Sequence, residues 1–340
     1  MHSQEFQYMS LLKKLNTRVS DTNQTGFGTN SEFSGGRFYN ADGTPNIGVK
    51  GIGFFERFSV YNSMLKVESW KFFLIILAFY FITNLFFASL YTLTGIDNLG
   101  GMEGDNIATK FWEAFFFSAQ TLSTVGYGHI YPTGMVTNFI AAMESIIGLL
   151  TFALATGMMY GRFSQPKAYL KYSNNALFAP YKDGVALMFR MVPYKHRNLS
   201  DAEVKTTLAM KVKSDGEILN KFYTLNLEIP KINALTLSWT VVHVINENSP
   251  LYNLTREDLL NSSAEVLIFL KAYDETFSNF VVSRTSYEAA QFVYGAKFKL
   301  MYQPTLDKQH TLLSIDMVSD YDKVALPDIG YDLGGINITS

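Results

Sequence analysis

The sequence predicts a membrane-embedded α-helical module followed by an all-β sandwich, and three observations carry that expectation. Two apolar runs, 72–93 and 135–159, are each long enough to cross a hydrocarbon layer of roughly 30 Å. Between them lies a shorter apolar stretch, 111–123, which as a helix is about 20 Å long and cannot cross it. Beyond Pro166, strand-forming runs alternate with turn signals. Composition agrees with a chain that is part membrane and part water-facing: 340 residues, 48% hydrophobic and 17% charged. A net charge of -2 argues against a nucleic-acid partner. With no cysteine there is neither a disulfide framework nor a thiolate metal site.

In chain order, residues 1–53 are polar and rich in turn formers (Gly26, Gly28, Gly35, Gly36, Gly43, Pro45, Asn46). They read as an irregular cytoplasmic arm that docks on the soluble domain. Nothing in 1–50 has the apolar centre of a signal peptide, so insertion relies on the first spanning segment. Over 54–68, Phe54, Phe55, Phe58, Tyr61, Met64 and Leu65 recur at helical spacing, while Glu56, Arg57, Asn62, Lys66 and Glu68 cover another face. That pattern predicts an interfacial helix.

Residues 69–165 form the two-span module. Trp70 and Lys71 mark an interface, and the second span is interrupted by Glu144, Thr151 and Thr156. An acid in such a segment faces a cavity or a partner, so Glu144 reads as cavity charge or filter support. Lys66 and Lys71 flank one side and Arg162, Lys167 and Lys171 the other, whereas the loop between the spans holds Asp97, Glu103 and Asp105. By the positive-inside rule both termini are cytoplasmic, in a multi-pass protein of the cell inner (plasma) membrane.

At the centre of the module stands Thr124-Val125-Gly126-Tyr127-Gly128. Stripping water from a monovalent cation requires hard oxygen ligands along a line, and consecutive backbone carbonyls supply them. Facing all of them to one axis forces alternate residues into conformations that glycine enters freely, which explains Gly126 and Gly128. Thr124 adds a hydroxyl at the inner end. The short helix before it points its partially negative C-terminus at the same place. One chain supplies one such strand, and four copies fit the coordination of the ion.

Residues 166–325 hold candidate strands at 185–192, 205–212, 222–229, 235–245, 265–273, 280–287, 296–302 and 311–317, with short helices at 256–261 and 287–293. Many short strands at this spacing predict a β-sandwich, in which Trp239 and His243 belong to the core. A tail, 326–340, follows. A dinucleotide-binding domain is excluded, since Gly51-Ile52-Gly53 precedes the membrane and lacks a third glycine. No nucleotide loop, metal-ligand cluster or nucleophile elbow supports an enzyme, and no cofactor is expected beyond the permeant ion.

From about residue 53 to 321 the chain resembles the inward-rectifier potassium channels, in particular their bacterial branch. The resemblance is carried by Thr124-Val125-Gly126-Tyr127-Gly128 and by Gly157-Met158-Met159-Tyr160-Gly161-Arg162-Phe163-Ser164-Gln165-Pro166-Lys167. Leu237-Ser238-Trp239-Thr240-Val241-Val242-His243, Asn248-Ser249-Pro250-Leu251-Tyr252 and Arg284-Thr285-Ser286-Tyr287 extend it into the β domain. It implies a homotetramer with an interfacial slide helix, an immunoglobulin-like cytoplasmic domain that extends the pore, and gating by membrane lipid. It also implies K+ at Thr124, Val125, Gly126 and Tyr127, a gate at Tyr160, and a second constriction at Thr276, Phe277, Ser278 and Asn279. Thr151, Glu144 and Glu275 are the expected pore and cavity residues. Arg57, Arg162 and Lys167 are the cations expected to meet lipid, which is anionic on this reading.

Three departures qualify the resemblance. Many members carry a glutamate behind the filter where this chain has Gln120, and a charged residue just beyond it where this chain has His129-Ile130. Strong rectifiers carry an acid at the position of Thr151, so block by Mg2+ or polyamines is expected to be weak. The segment at Pro166-Lys167 has fewer basic residues than the lipid-binding stretch of animal members. The alternative reading is a membrane-anchored β-sandwich that binds a ligand and no longer conducts.

Overall fold

A computed structural model describes residues 26–27, 36–40, 42–51, 53, 59–195, 199–214, 217–304 and 309–328. The chain forms two compact units: one is Val49–Gln165, the other joins Met1–Gly48 to Pro166–Ser340.

The first unit is helical. Helix α1 is Val60–Lys66, shorter than the interfacial helix expected over 54–68. Ser59 is extended (φ -87, ψ 99) and its side chain caps the Asn62 amide, so the helix begins after it. Val67, at ψ 146, ends it. Residues 54–58, with Arg57, lie outside the described residues.

Helix α2, Ser69–Leu93, follows at once; Glu68 accepts from Trp70 Nε1 at 2.7 Å and pairs with Lys71 at 3.0 Å. Helix α3, Ile107–Leu122, starts four residues before the expected 111, because Asn106 and Thr109 cap each other's backbone amides. Its 16 residues make about 24 Å, still too short to cross. Helix α4, Met135–Phe163, runs one turn past 159.

Among the described residues, α2 and α4 are the two helices long and apolar enough to span a membrane. Phe87, Ala88, Tyr91, Leu99, Ala114, Phe115 and Phe117 pack α2 against α3, while Leu77, Ile82, Phe139 and Leu150 remain exposed, as suits a lipid surround.

The second unit is a two-sheet sandwich. Strands β1, Leu99–Gly100, and β2, Tyr131–Pro132, belong to the helical unit and pair with each other. In the sandwich, sheet one orders β11 (Asn279–Glu288), β10 (Glu265–Asp274), β6 (Leu199–Ser214) and β7 (Glu217–Leu225), with β8 (Lys231–Leu235) also on β6. Sheet two orders β12 (Phe292–Tyr294), β4 (Ala176–Tyr181), β5 (Gly184–Pro193) and β3 (Leu170–Tyr172), with β9 (Trp239–Ile245) also on β5.

One core joins them, with Phe178, Leu187 and Trp239 from sheet two meeting Leu208, Val266 and Tyr287 from sheet one. Strand β5 is buried on both faces: Val185, Leu187 and Phe189 enter this core, while Ala186 and Met188 face another. That is the period-two alternation of a central strand.

Several expected boundaries differ. The helix expected over 287–293 is absent; Tyr287 and Glu288 end β11, Ala289–Gln291 is one 3-10 turn, and β12 follows. The reason is burial: Tyr287, Phe292 and Tyr294 all enter the core, and the Tyr287 hydroxyl donates to Ser173 O at 2.8 Å. The run 235–245 is two strands, β8 and β9, and 296–302 divides into Ala296–Phe298 and Tyr302–Pro304. Strand β4 lies before the first expected strand at 185–192.

Residues of the arm lie on the outer face of sheet one. The amides of Phe38 and Tyr39 donate to Glu265 Oε2 and Oε1 at 2.8 and 3.4 Å, and Arg37 Nε donates to Ser286 Oγ at 2.8 Å. Phe38 packs with Phe222, Ala209 and Leu267. Burial pushes the Glu265 carboxyl up, against the pull of Ser286, the two amides and Arg37.

Candidate ion-conduction site

The segment after α3 turns on a backbone of alternating hand. Thr124, Gly126 and Gly128 have φ of 60, 52 and 82, in the left-handed region, with Val125 and Tyr127 between them. Thr124 is the costly member, since a β-branched residue rarely adopts such an angle. Amides turn back to the helix end: Thr124 N donates to Thr121 O at 3.0 Å, and Val125 N and Gly126 N share Gln120 O at 3.0 and 3.3 Å. Gln120 therefore supports the strand through its carbonyl. Among the described residues, none donates a backbone hydrogen bond to the carbonyls of Thr124, Val125, Gly126, Tyr127 or Gly128, which leaves a row of unengaged oxygens.

Behind α3 sits a buried polar cluster. Glu144, on α4 and fully buried, accepts from Tyr91 Oη of α2 at 2.6 Å and contacts Ser118 Oγ of α3. Ser118 also contacts Asn84 Oδ1 at 2.9 Å, and Asn84 Nδ2 donates to Tyr80 O at 2.8 Å. Expected as cavity charge or filter support, Glu144 is thus engaged with α2 and α3 and presents no open charge. One turn on, Gly148 touches the end of α3: a Cβ there would stand 2.0 Å from Leu122 O. Just after this segment, His129 Nε2 lies 3.6 Å from Glu103 Oε1.

Further along α4, Thr151 is half-buried, and near its C-terminal end Tyr160 is exposed. Arg162, expected to meet lipid, points its guanidinium inward. Nη1 donates to Met64 O at 2.5 Å, Nη2 to Ser69 Oγ at 3.3 Å, and the group lies 4.7 Å from the Phe72 ring centre. It ties the end of α4 to the junction between α1 and α2. Lys66 and Lys167 are exposed.

In the sandwich unit, Glu275, Thr276, Phe277 and Ser278 form the turn between β10 and β11, and Asn279 opens β11. Buried Asp274 organises the turn, accepting from the amides of Thr276 and Phe277 at 2.9 and 3.3 Å, while Ser278 takes φ 48. Glu275 is exposed at the tip. Asn84, Ser118 and Tyr91 are not legible as a cluster in the chain order; only polar residues set in apolar helices could have pointed to it.

Comparison with known proteins decides the family. Residues 73–165 match the family described as ion channel, and residues 170–331 match the inward rectifier potassium channel C-terminal domain. Over 281 residues the chain is 30% identical to the inward rectifier potassium channel Kirbac3.1 of Paramagnetospirillum magnetotacticum, covering 81% of this chain and 92% of that one. This chain belongs to the inward-rectifier potassium channel family.

The family extends to animals: G protein-activated inward rectifier potassium channel 4 of Bos taurus and of Mus musculus are each 26% identical over 279 residues. The match covers 74% of this chain and 64% of each of those, so the chain spans less than two thirds of their length. Residues 124–128 and the buried cluster fall in the ion-channel match, and the 275–278 turn falls in the match to the inward rectifier C-terminal domain.

Proposed function

We propose that four copies of this chain surround one axis as a potassium-selective pore in the cell inner (plasma) membrane, with both termini cytoplasmic. The observation that carries this reading is the alternation at Thr124, Gly126 and Gly128, with amides turned to Gln120 O and carbonyls left without donors. Four such strands replace the hydration shell of K+, with Thr124 Oγ1 completing the innermost site. Val125 and Tyr127 are exposed in one chain, and neighbouring copies would cover them.

Tyr160 is the gate on this reading: four exposed aromatics near the inner end of α4 close a pore sterically and by dewetting. The turn at Thr276, Phe277, Ser278 and Asn279 is the second constriction. Anionic lipid acts through exposed Lys66 and Lys167 together with Arg57, and Arg162 relays the effect from α1 to α4. Rectification is weak, because Thr151 is uncharged and Glu144 is engaged with Tyr91 and Ser118, leaving Glu275 as the exposed acid. Block by Mg2+ or polyamines is correspondingly shallow.

The test is flux of K+ and Na+ from liposomes of varied lipid composition, with the particle mass measured in detergent. Selective K+ flux from a particle of four chains is expected. A conducting monomer or dimer would overturn the assembly, and a ligand-binding sandwich that no longer conducts would give no flux.

A further inference from the structure

The cluster behind α3 can be read by counting hydrogens. Ser118 Oγ is within hydrogen-bond reach of two oxygens, Glu144 Oε1 and Asn84 Oδ1. A serine hydroxyl carries one hydrogen, and an ionised carboxylate carries none. Asn84 cannot supply the missing one. Turning its amide would bring Oδ1 against Tyr80 O, which now accepts from Nδ2 at 2.8 Å. Tyr91 Oη already gives its hydrogen to Glu144 Oε2 at 2.6 Å. With Glu144 ionised, one of the two Ser118 contacts would set oxygen against oxygen with no hydrogen between them. Asn84, Ser118 and Glu144 are all fully buried, so no solvent relieves the mismatch.

We infer that Glu144 is a protonated, uncharged positioning residue whose O–H donates to Ser118 Oγ and so locks the pore helix to both spanning helices. The donors then run in one direction. Tyr91 gives to Glu144, Glu144 to Ser118, Ser118 to Asn84, and Asn84 to Tyr80 O, with each hydrogen used once. The groups bonded to the carboxyl are Tyr91 from α2 and Ser118 from α3, of which Tyr91 alone titrates. Among the described residues no Lys or Arg pairs with it, so an ionised form would be a lone charge in apolar surroundings. The consequence reaches the filter because Ser118 sits two residues before Gln120, whose carbonyl holds the amides of Val125 and Gly126.

The experiment is infrared spectroscopy of the full chain in liposomes, paired with K+ and Na+ flux. Wild type should show the C=O stretch of a protonated carboxyl at neutral pH. The band should shift on 13C labelling of glutamate and be missing from Glu144→Gln. Glutamine supplies an N–H to Ser118 and an oxygen to Tyr91, so Glu144→Gln should keep selective flux, whereas Glu144→Ala should lose selectivity by about tenfold or more. No such band in wild type near pH 7, or a loss in Glu144→Gln as deep as in Glu144→Ala, would overturn the inference. Only the flux arm rests on the potassium-pore reading; wild type without selective flux refutes that reading and leaves the infrared band to decide this one.

Discussion

A Cβ on Gly148 would stand 2.0 Å from the carbonyl oxygen of Leu122, so α4 and the end of α3 meet backbone to backbone. No side chain fits between them. Gly148→Ala must push the helices apart, and overpacking of this kind costs about 1–3 kcal/mol. Thermal unfolding in detergent should occur at lower temperature and K+ flux should fall. Gly157, with nothing within 4 Å of a Cβ, is the control, and Gly157→Ala should unfold as wild type does.

Gly126 has room for a Cβ but stands at φ 52. The cost of Gly126→Ala is therefore conformational, about 1–2 kcal/mol per chain, and it falls on the oxygens that line the path. Potassium-over-sodium flux should collapse while the assembly still forms by mass. Selective flux from Gly126→Ala would remove the filter assignment.

Thr151 is half-buried and uncharged on the helix that carries Tyr160. An acid there adds the negative charge that internal Mg2+ and polyamines need. Thr151→Asp should steepen voltage-dependent block in recordings with either cation inside. Identical block in both proteins would show that residue 151 does not face the ions.

Tyr160→Ala removes an exposed aromatic without disturbing a described side-chain contact. Basal flux should rise and selectivity should stay as in wild type, because α4 meets the end of α3 at Gly148, twelve residues or about 18 Å along the helix from Tyr160. Unchanged flux at normal assembly yield would move the gate to the turn between β10 and β11.

His243 is buried in β9, with Nδ1 donating to Asn226 O at 2.7 Å and Nε2 accepting from Ser249 Oγ at 2.8 Å. Burial pushes its pKa below the ordinary 6.5, against the pull of the Asn226 carbonyl. A group whose folded pKa is depressed adds stability above its unfolded pKa and loses it as pH falls through the folded one. Hydrogen exchange of the Val241 to Ile245 amides should therefore indicate less protection as pH drops below 6.5, once intrinsic exchange rates are corrected. His243→Gln should start less protected and show no such slope.

Much of this architecture was legible in the sequence because it depends on local chemistry. The lengths of 72–93 and 135–159 and the shortness of the stretch before Thr124 are matters of hydropathy alone, and the short helix expected at Arg256–Asn261 forms at those residues, capped by Thr255. The failures share a cause: long-range burial overrides local preference. Tyr287 to Val293, expected as a helix, is instead strand, one 3-10 turn and strand, since Tyr287 and Phe292 are needed in the core. The contacts of Arg162, an expected lipid cation, were equally out of view, since Met64 O and Phe72 lie some 90 residues or more away in the chain. Glu144 was visible as an anomaly, yet its partners lie 53 and 26 residues away in the chain.

Strands β10 and β11 pair without a register shift from Glu265↔Glu288 to Asp274↔Asn279. The arm grips one end of this ribbon at Glu265 and Ser286, and the turn at 275–278 caps the other, roughly 30 Å away at about 3.4 Å per residue. An unbroken ladder anchored in a sheet resists bending along its length, so the ribbon behaves as a lever with its handle in the hands of the arm. A tilt of a few degrees at Phe38 and Tyr39 sweeps the Glu275 tip through a distance multiplied by that length.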